Sequence, residues 1–143
     1  MPSEHKPDLQ RLRDRRRRAD DWIEYASWTA IGTATLGSVF VLAAGFSDLS
    51  FFWEALPLLT SLVAQGLIGY KLRERSQWSA WGLMATYVAS FAVSVLVYGT
   101  WSGVLFKLAI GYVYVRGWLA TLDYEELSKQ IAEATAAPSG DAA

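Results

Sequence analysis

The first twenty-four positions are mostly polar. From Trp28 the chain turns apolar and stays so, with short interruptions, to about Leu122. Residues 123–143 are polar again and close on Pro138, Ser139 and Gly140, the composition of a frayed tail. The interruptions divide the apolar region into four stretches, 28–46, 51–72, 78–98 and 101–122, of 19, 22, 21 and 22 residues. A bilayer core of roughly 30 Å takes about 20 helical residues, so each stretch predicts one crossing. Apolar and polar residues do not alternate as the wall of a membrane barrel demands, which argues against strands. A soluble helical bundle is the competing reading; it needs polar outer faces, and residues 34–46 and 87–98 offer none. A cleaved signal peptide competes for the first stretch, but its polar lead is long and Ala43-Ala44-Gly45 only loosely resembles a cleavage site. The expected fold is an all-α integral membrane protein, an antiparallel bundle of four transmembrane helices. Residues 1–26 form a basic N-terminal arm, 27–123 the bundle, and 124–143 a C-terminal helix and tail.

Charge sets the expected orientation. Lys6 and six arginines lie in the N-terminal arm; Lys71, Arg73 and Arg75 lie in the second connection, and Lys129 in the C-terminal tail. The first and third connections carry no cation. Lysine and arginine are retained on the cytoplasmic side, so both termini are predicted to be cytoplasmic. Trp28, Trp53, Trp78, Trp101 and Trp118 sit near the stretch ends, where an amphipathic ring prefers the headgroup level. The connections are a few residues long, so sequential helices pack as antiparallel neighbours. Ile68-Gly69-Tyr70 recurs as Ile110-Gly111-Tyr112, but the flanking tryptophans do not align, and no inverted repeat follows.

Helices in lipid associate through small residues. Such residues recur at intervals of four: Ala26, Ala30, Ala34 and Ser38 in the first stretch, and Gly82, Thr86, Ser90 and Ser94 in the third. Gly99, Gly103 and Gly111 form a like stripe in the fourth, interrupted by Lys107. These are predicted contact seams. Lys107 therefore points toward a helix interface, about 9 Å beyond Trp101. Its natural partner is Glu54, which enters the second stretch from the same side. Glu54, Ser61 and Gln65 share one helical face, with Pro57 between them as a candidate kink. Glu54, Ser61, Gln65 and Lys107 thus form a candidate intramembrane polar site. It is either a structural ion pair or a site for an ion or substrate. Arg116 lies nine residues beyond Lys107, on the opposite face, and is expected to reach cytoplasmic headgroups or a neighbouring subunit.

Composition narrows the chemistry. There is no cysteine, which excludes disulfides, iron–sulfur clusters and thiolate metal sites. The single His5 lies in a polar tail, so a bis-histidine haem is excluded as well. No nucleophile sits beside a base, and there is no phosphate loop, no metal-ligand cluster and no pair of intramembrane carboxylates. No enzyme, no metal and no cofactor is expected. Arg11, Arg13, Arg15, Arg16, Arg17 and Arg18 form a dense basic run beside the first stretch, tempered by Asp14, Asp20, Asp21 and Glu24. Each cation near an anionic leaflet contributes about 1 kcal/mol, so the run is expected to contact acidic lipids or a partner's acidic face. It lacks the stacking aromatics of a nucleic-acid surface, and no nucleic acid is expected. Past the fourth stretch, Leu127, Ile131 and Ala134 recur at helical spacing among charged residues and predict a short amphipathic helix.

The exit of the last stretch, Tyr114-Val115-Arg116-Gly117-Trp118-Leu119-Ala120-Thr121-Leu122-Asp123-Tyr124, resembles the closing motif of small four-span bacterial membrane proteins of unknown function. Gly117, Thr121 and Tyr124 match that pattern, and the basic turn from Gly69-Tyr70-Lys71 to Arg75-Ser76 is similar to theirs. Arg116, Leu119 and Glu125 depart from it. The resemblance implies a four-span architecture in a bacterial inner membrane and no activity. The expected function is that of a non-catalytic accessory, scaffold or assembly subunit, associating with other membrane subunits or with itself. The alternative is a small homo-oligomeric transporter or channel using Glu54 and Lys107. Small four-span multidrug transporters share the size, but their carboxylate lies deep in the first span, where this chain has none.

Overall fold

A computed structural model of the chain describes residues 6–47, 49–96 and 104–136, which form four α-helices and no strand. They are α1 (Lys6–Ser47), α2 (Leu49–Leu72), α3 (Gln77–Leu96) and α4 (Val104–Ala136). The arginine-rich arm and the first apolar stretch make one helix of 42 residues, about 63 Å long. Arginine, alanine and leucine are all good helix formers, and Pro7 sits in the first turn, where its missing N–H is harmless. The C-terminal stretch likewise continues α4, which has 33 residues and is about 50 Å long. α2 runs on through Pro57.

The helices pack in a ring, α1 on α2, α2 on α3, α3 on α4 and α4 back on α1, and every adjacent pair is antiparallel. The small residues decide the register. A Cβ on Gly69 would lie 2.5 Å from Ala30 Cβ, and one on Gly66 3.1 Å from Ala34 Cβ, so α1 and α2 touch backbone to backbone there. Gly117 of α4 lies against Ala26 in the same manner. Ala26, Ala30 and Ala34 are therefore one buried seam serving two neighbours. Gly82 faces Ile68 across the α2–α3 contact, and Gly111 lies under the Tyr87 ring across α3–α4. Ser94 lies on α3, while Gly99 and Gly103 fall outside the described residues.

A tight turn joins α2 to α3. Arg73, Glu74 and Arg75 donate their N–H groups to the carbonyls of Tyr70, Lys71 and Leu72 at 3.2, 3.0 and 2.9 Å, tightening the end of α2. Arg75 has φ 58°, a left-handed conformation that costs a side-chain-bearing residue about 1 kcal/mol. Its guanidinium meets Asp20 of α1 at 2.7 Å. Ser76 then caps α3, its carbonyl accepting from the N–H of Ala80.

The main core gathers at this end of the bundle. It comprises Ala19, Ile23, Ala26 and Ala30 of α1, Leu72, Ala80, Leu83, Tyr114 and Ala120. Toward the other end, many large apolar side chains are exposed. Leu36, Phe40, Leu96 and Leu105 are 74%, 72%, 81% and 84% exposed. Among the described residues two segments, Leu9–Gly45 and Trp53–Leu72, are long and apolar enough to cross a membrane.

Candidate functional site

A partly open cavity of about 460 Å³ is lined by all four helices. Leu36, Phe40, Leu58, Leu62, Phe91 and Phe106 give it apolar walls. Thr33, Gln65, Tyr87, Ser90 and Lys107 supply the polar groups. Among the described residues, no carboxylate and no imidazole lines it.

Three side chains from three helices close its inner end. Gln65 of α2 donates from Nε2 to the Tyr114 hydroxyl of α4 at 2.6 Å and to Thr33 Oγ1 of α1 at 3.3 Å. Thr33 and Tyr114 are 3.1 Å apart. Counting protons fixes the direction of each bond. The Thr33 hydroxyl donates back to the Thr29 carbonyl at 2.8 Å, so toward its neighbours it accepts. Tyr114 then donates to Thr33 and accepts from Gln65. The amide nitrogen of Gln65 therefore faces the network, and its Oε1 makes no hydrogen bond among the described residues. Gln65 is 6% exposed and lines the cavity. The inner end thus carries a polar amide at the foot of an apolar groove whose walls are partly open to the outside.

Higher in the wall, Ser61 and Ser90 share a hydrogen bond of 2.9 Å across α2 and α3. The Tyr87 hydroxyl donates to the Lys107 carbonyl at 2.5 Å. Its ring meets that of Tyr114 edge to face, with centroids 5.4 Å apart. Of the four residues expected to form a polar site, Gln65 and Lys107 line this cavity and Ser61 bonds to a third lining residue. Glu54 is exposed on α2 and makes no ion pair with Lys107. The packing residues divide as well: Ser90 bonds across α2–α3, whereas Thr86 returns its hydroxyl to the carbonyls of Gly82 and Leu83 in its own helix.

Thr33, Tyr87 and Tyr114 are the members that reading the sequence alone overlooked. A signal was present for one of them. Tyr114 sits midway between Gly111 and Gly117, three residues from each, and so shares a face with two close-packing glycines.

The arginine run is divided among separate surfaces. Arg16 donates to the Tyr124 hydroxyl at 2.8 Å and stacks on its ring. Arg75 lies over the other part of that ring and binds Asp20. Arg73 covers Trp28. Gln77 at the start of α3 bonds Glu125 of α4. These contacts lock the α2–α3 turn to the projecting parts of α1 and α4. Arg15 and Arg18 instead face a second cleft with Arg116, while Arg13 and Arg17 lie on a further shallow surface beside Tyr124. Arg11 is exposed.

Among the described residues no group of three or more His, Asp or Glu side chains is placed to hold a metal ion. No protein-family model, no curated protein and no solved structure matches the chain.

Proposed function

We propose that this chain is a four-span integral protein of a bacterial inner membrane. Both termini are cytoplasmic, and it serves without catalysis as an accessory or assembly subunit of a membrane complex. The observation that carries this reading is the inverted distribution of side-chain size. Alanine, glycine, serine, threonine and glutamine fill many of the contacts between helices, beside Ile23, Leu72, Leu83 and Tyr114 at the cored end, and large apolar side chains are exposed on all four helices. In water each exposed large apolar side chain forfeits about 1.5–3 kcal/mol of burial. In lipid it forfeits none, and close packing of small residues becomes the means of association. The outward apolar residues include Val88 and Leu96 of α3 and Leu105, Phe106 and Leu108 of α4, so they surround the whole ring rather than two helices of it. Beyond this band, residues 6–24 of α1 and the end of α4 project as a charged pair of helices. That pair is the main surface the protein offers to another cytoplasmic or membrane subunit. Purification of the tagged chain in native-lipid discs tests this role. A stoichiometric second protein supports it, and a lone homo-oligomer overturns it.

The cavity favours a second reading, a small transporter or channel in which Gln65 and Lys107 face the path. Its occupant would carry a hydrogen-bond donor for Gln65 Oε1 and no positive charge beside the Lys107 ammonium. Lys107→Leu separates the two readings. An accessory bundle keeps its partner with this substitution, whereas a transporter loses flux while remaining folded.

A further inference from the structure

We propose that the cleft between α1 and α4 at Arg15, Arg18 and Arg116 is a built site for the phosphodiester headgroup of an acidic phospholipid. It rests on the membrane reading above and adds to it a defined place, stoichiometry and ligand. The cleft measures about 390 Å³, within the range of roughly 300–1,000 Å³ typical of small-molecule sites. Arg15 and Arg18 project from one face of α1, together with Ala19 and Trp22, and Arg116 projects from α4. The Arg116 guanidinium lies 5.0 Å over the Trp22 ring, which holds it in place without neutralising it. No ion pair engages Arg15, Arg18 or Arg116 among the described residues. The one carboxylate in the lining is Asp123, so the positive charge is in excess. Other basic side chains nearby are already committed: Arg16 to Tyr124, Arg75 to Asp20 and Arg73 to Trp28. Three guanidiniums lining one cleft against a single carboxylate are suited to phosphate oxygens, which arginine binds in paired hydrogen bonds.

Register places the cleft where headgroups would be. Gly117 lies against Ala26, so Arg116 is level with a part of α1 that precedes Trp28. Trp22 meets Tyr25 and Tyr112, a cluster of the ring type that collects at the membrane–water boundary. On α4, Arg116 continues the outward stripe of Leu105, Leu108 and Tyr112, each more than half exposed. A headgroup at Arg116 therefore has a path for its acyl chains along that stripe. A soluble phosphate would leave the stripe unused, and this favours the lipid.

The test is native mass spectrometry of the full chain in a non-ionic detergent, titrated separately with phosphatidylglycerol, phosphatidylcholine of the same acyl chains, and inorganic phosphate. The expected result is one retained phosphatidylglycerol per chain, with phosphatidylcholine retained at least about tenfold more weakly. The double variant Arg15→Gln/Arg18→Gln and the single Arg116→Gln each weaken retention about tenfold or more. Arg11→Gln/Arg17→Gln removes the same charge from outside the cleft and changes retention by less than about twofold. Arg116→Lys keeps the charge and retains part of the affinity. Thermal melting of each variant confirms an intact fold; all these side chains are exposed, so none of the substitutions opens the core. Equal weakening by the two double variants would mean diffuse attraction and overturns the site. Retention of inorganic phosphate as tight as that of the lipid overturns the lipid as its ligand. Release of the chain from membranes by an alkaline wash would sink the membrane reading instead, and is scored separately.

Discussion

At the scale of single residues, the decisive group is the trio of Thr33, Gln65 and Tyr114. Its hydrogen bonds run in one direction, because the Thr33 hydroxyl is already committed to the carbonyls of Thr29 and Ala30 and so accepts from the other two. Tyr114 is 1% exposed, so its hydroxyl has no water to turn to. Tyr114→Phe removes the best acceptor of Gln65 and a donor to Thr33. It is expected to destabilise the bundle by about 1–2 kcal/mol, the range for interhelical hydrogen bonds in an apolar solvent. In a Gln65→Leu background the same change should cost clearly less, since nothing is then left unpaired. Melting of the four proteins of this cycle in one detergent measures the difference; additive costs would mean that the trio does not act as a unit. The neighbouring Trp118 shows the opposite economy. Its indole N–H is buried without an acceptor, while its ring meets Trp81 edge to face at 4.8 Å.

At the scale of helices, packing is governed by the places where a side chain would not fit. Gly117 on α4 and Ala26 on α1 form the tightest of these, and Ala26 is fully buried. Gly117→Ala sets two β-carbons against each other and is expected to cost about 1–3 kcal/mol through displaced helices. Ala26→Gly in the same chain removes the obstruction and should restore most of the melting temperature. If it restores nothing, the helices do not meet at this register. The seam of Ala26, Ala30 and Ala34 was legible in the sequence because a period of four on one helix is a local property. Its partners, Gly66 on α2 and Gly117 on α4, were not, because register between helices is a relation among distant residues. Tyr114 was passed over for the same reason: a tyrosine within an apolar stretch declares itself only when the residues facing it are known. The four helices were read correctly from the lengths of the apolar stretches. Missing from that reading was the continuity of the arginine arm with α1. Such continuity depends on good helix formers running across a change in polarity, which hydropathy does not record.

At the scale of the whole molecule, one end of the ring is charged and tightly cored, and the other holds the cavity. The charged end gathers the α2–α3 turn, the start of α1 and the end of α4, tied by Arg75 to Asp20 and by Arg16 to Tyr124. Under the proposed membrane reading these three segments share one side, and their lysines and arginines favour the cytoplasmic one. The absence of cysteine makes this directly measurable, since any label reports the single site introduced. Glu74→Cys in the α2–α3 turn and Glu133→Cys near the end of α4 are expected to react with a membrane-impermeant maleimide only after the cells are opened. Ser50→Cys, near the start of α2, is expected to react in intact spheroplasts. Both carboxylates are exposed, so burial would not mimic shielding by the bilayer. Labelling of Glu74→Cys but not Ser50→Cys in intact cells would invert the bundle and move the Arg15, Arg18 and Arg116 cleft to the outer leaflet. Opposite protection of Glu74→Cys and Glu133→Cys would be more serious. It would place the α2–α3 turn and the end of α4 on different sides, which the contact between Gln77 and Glu125 does not allow.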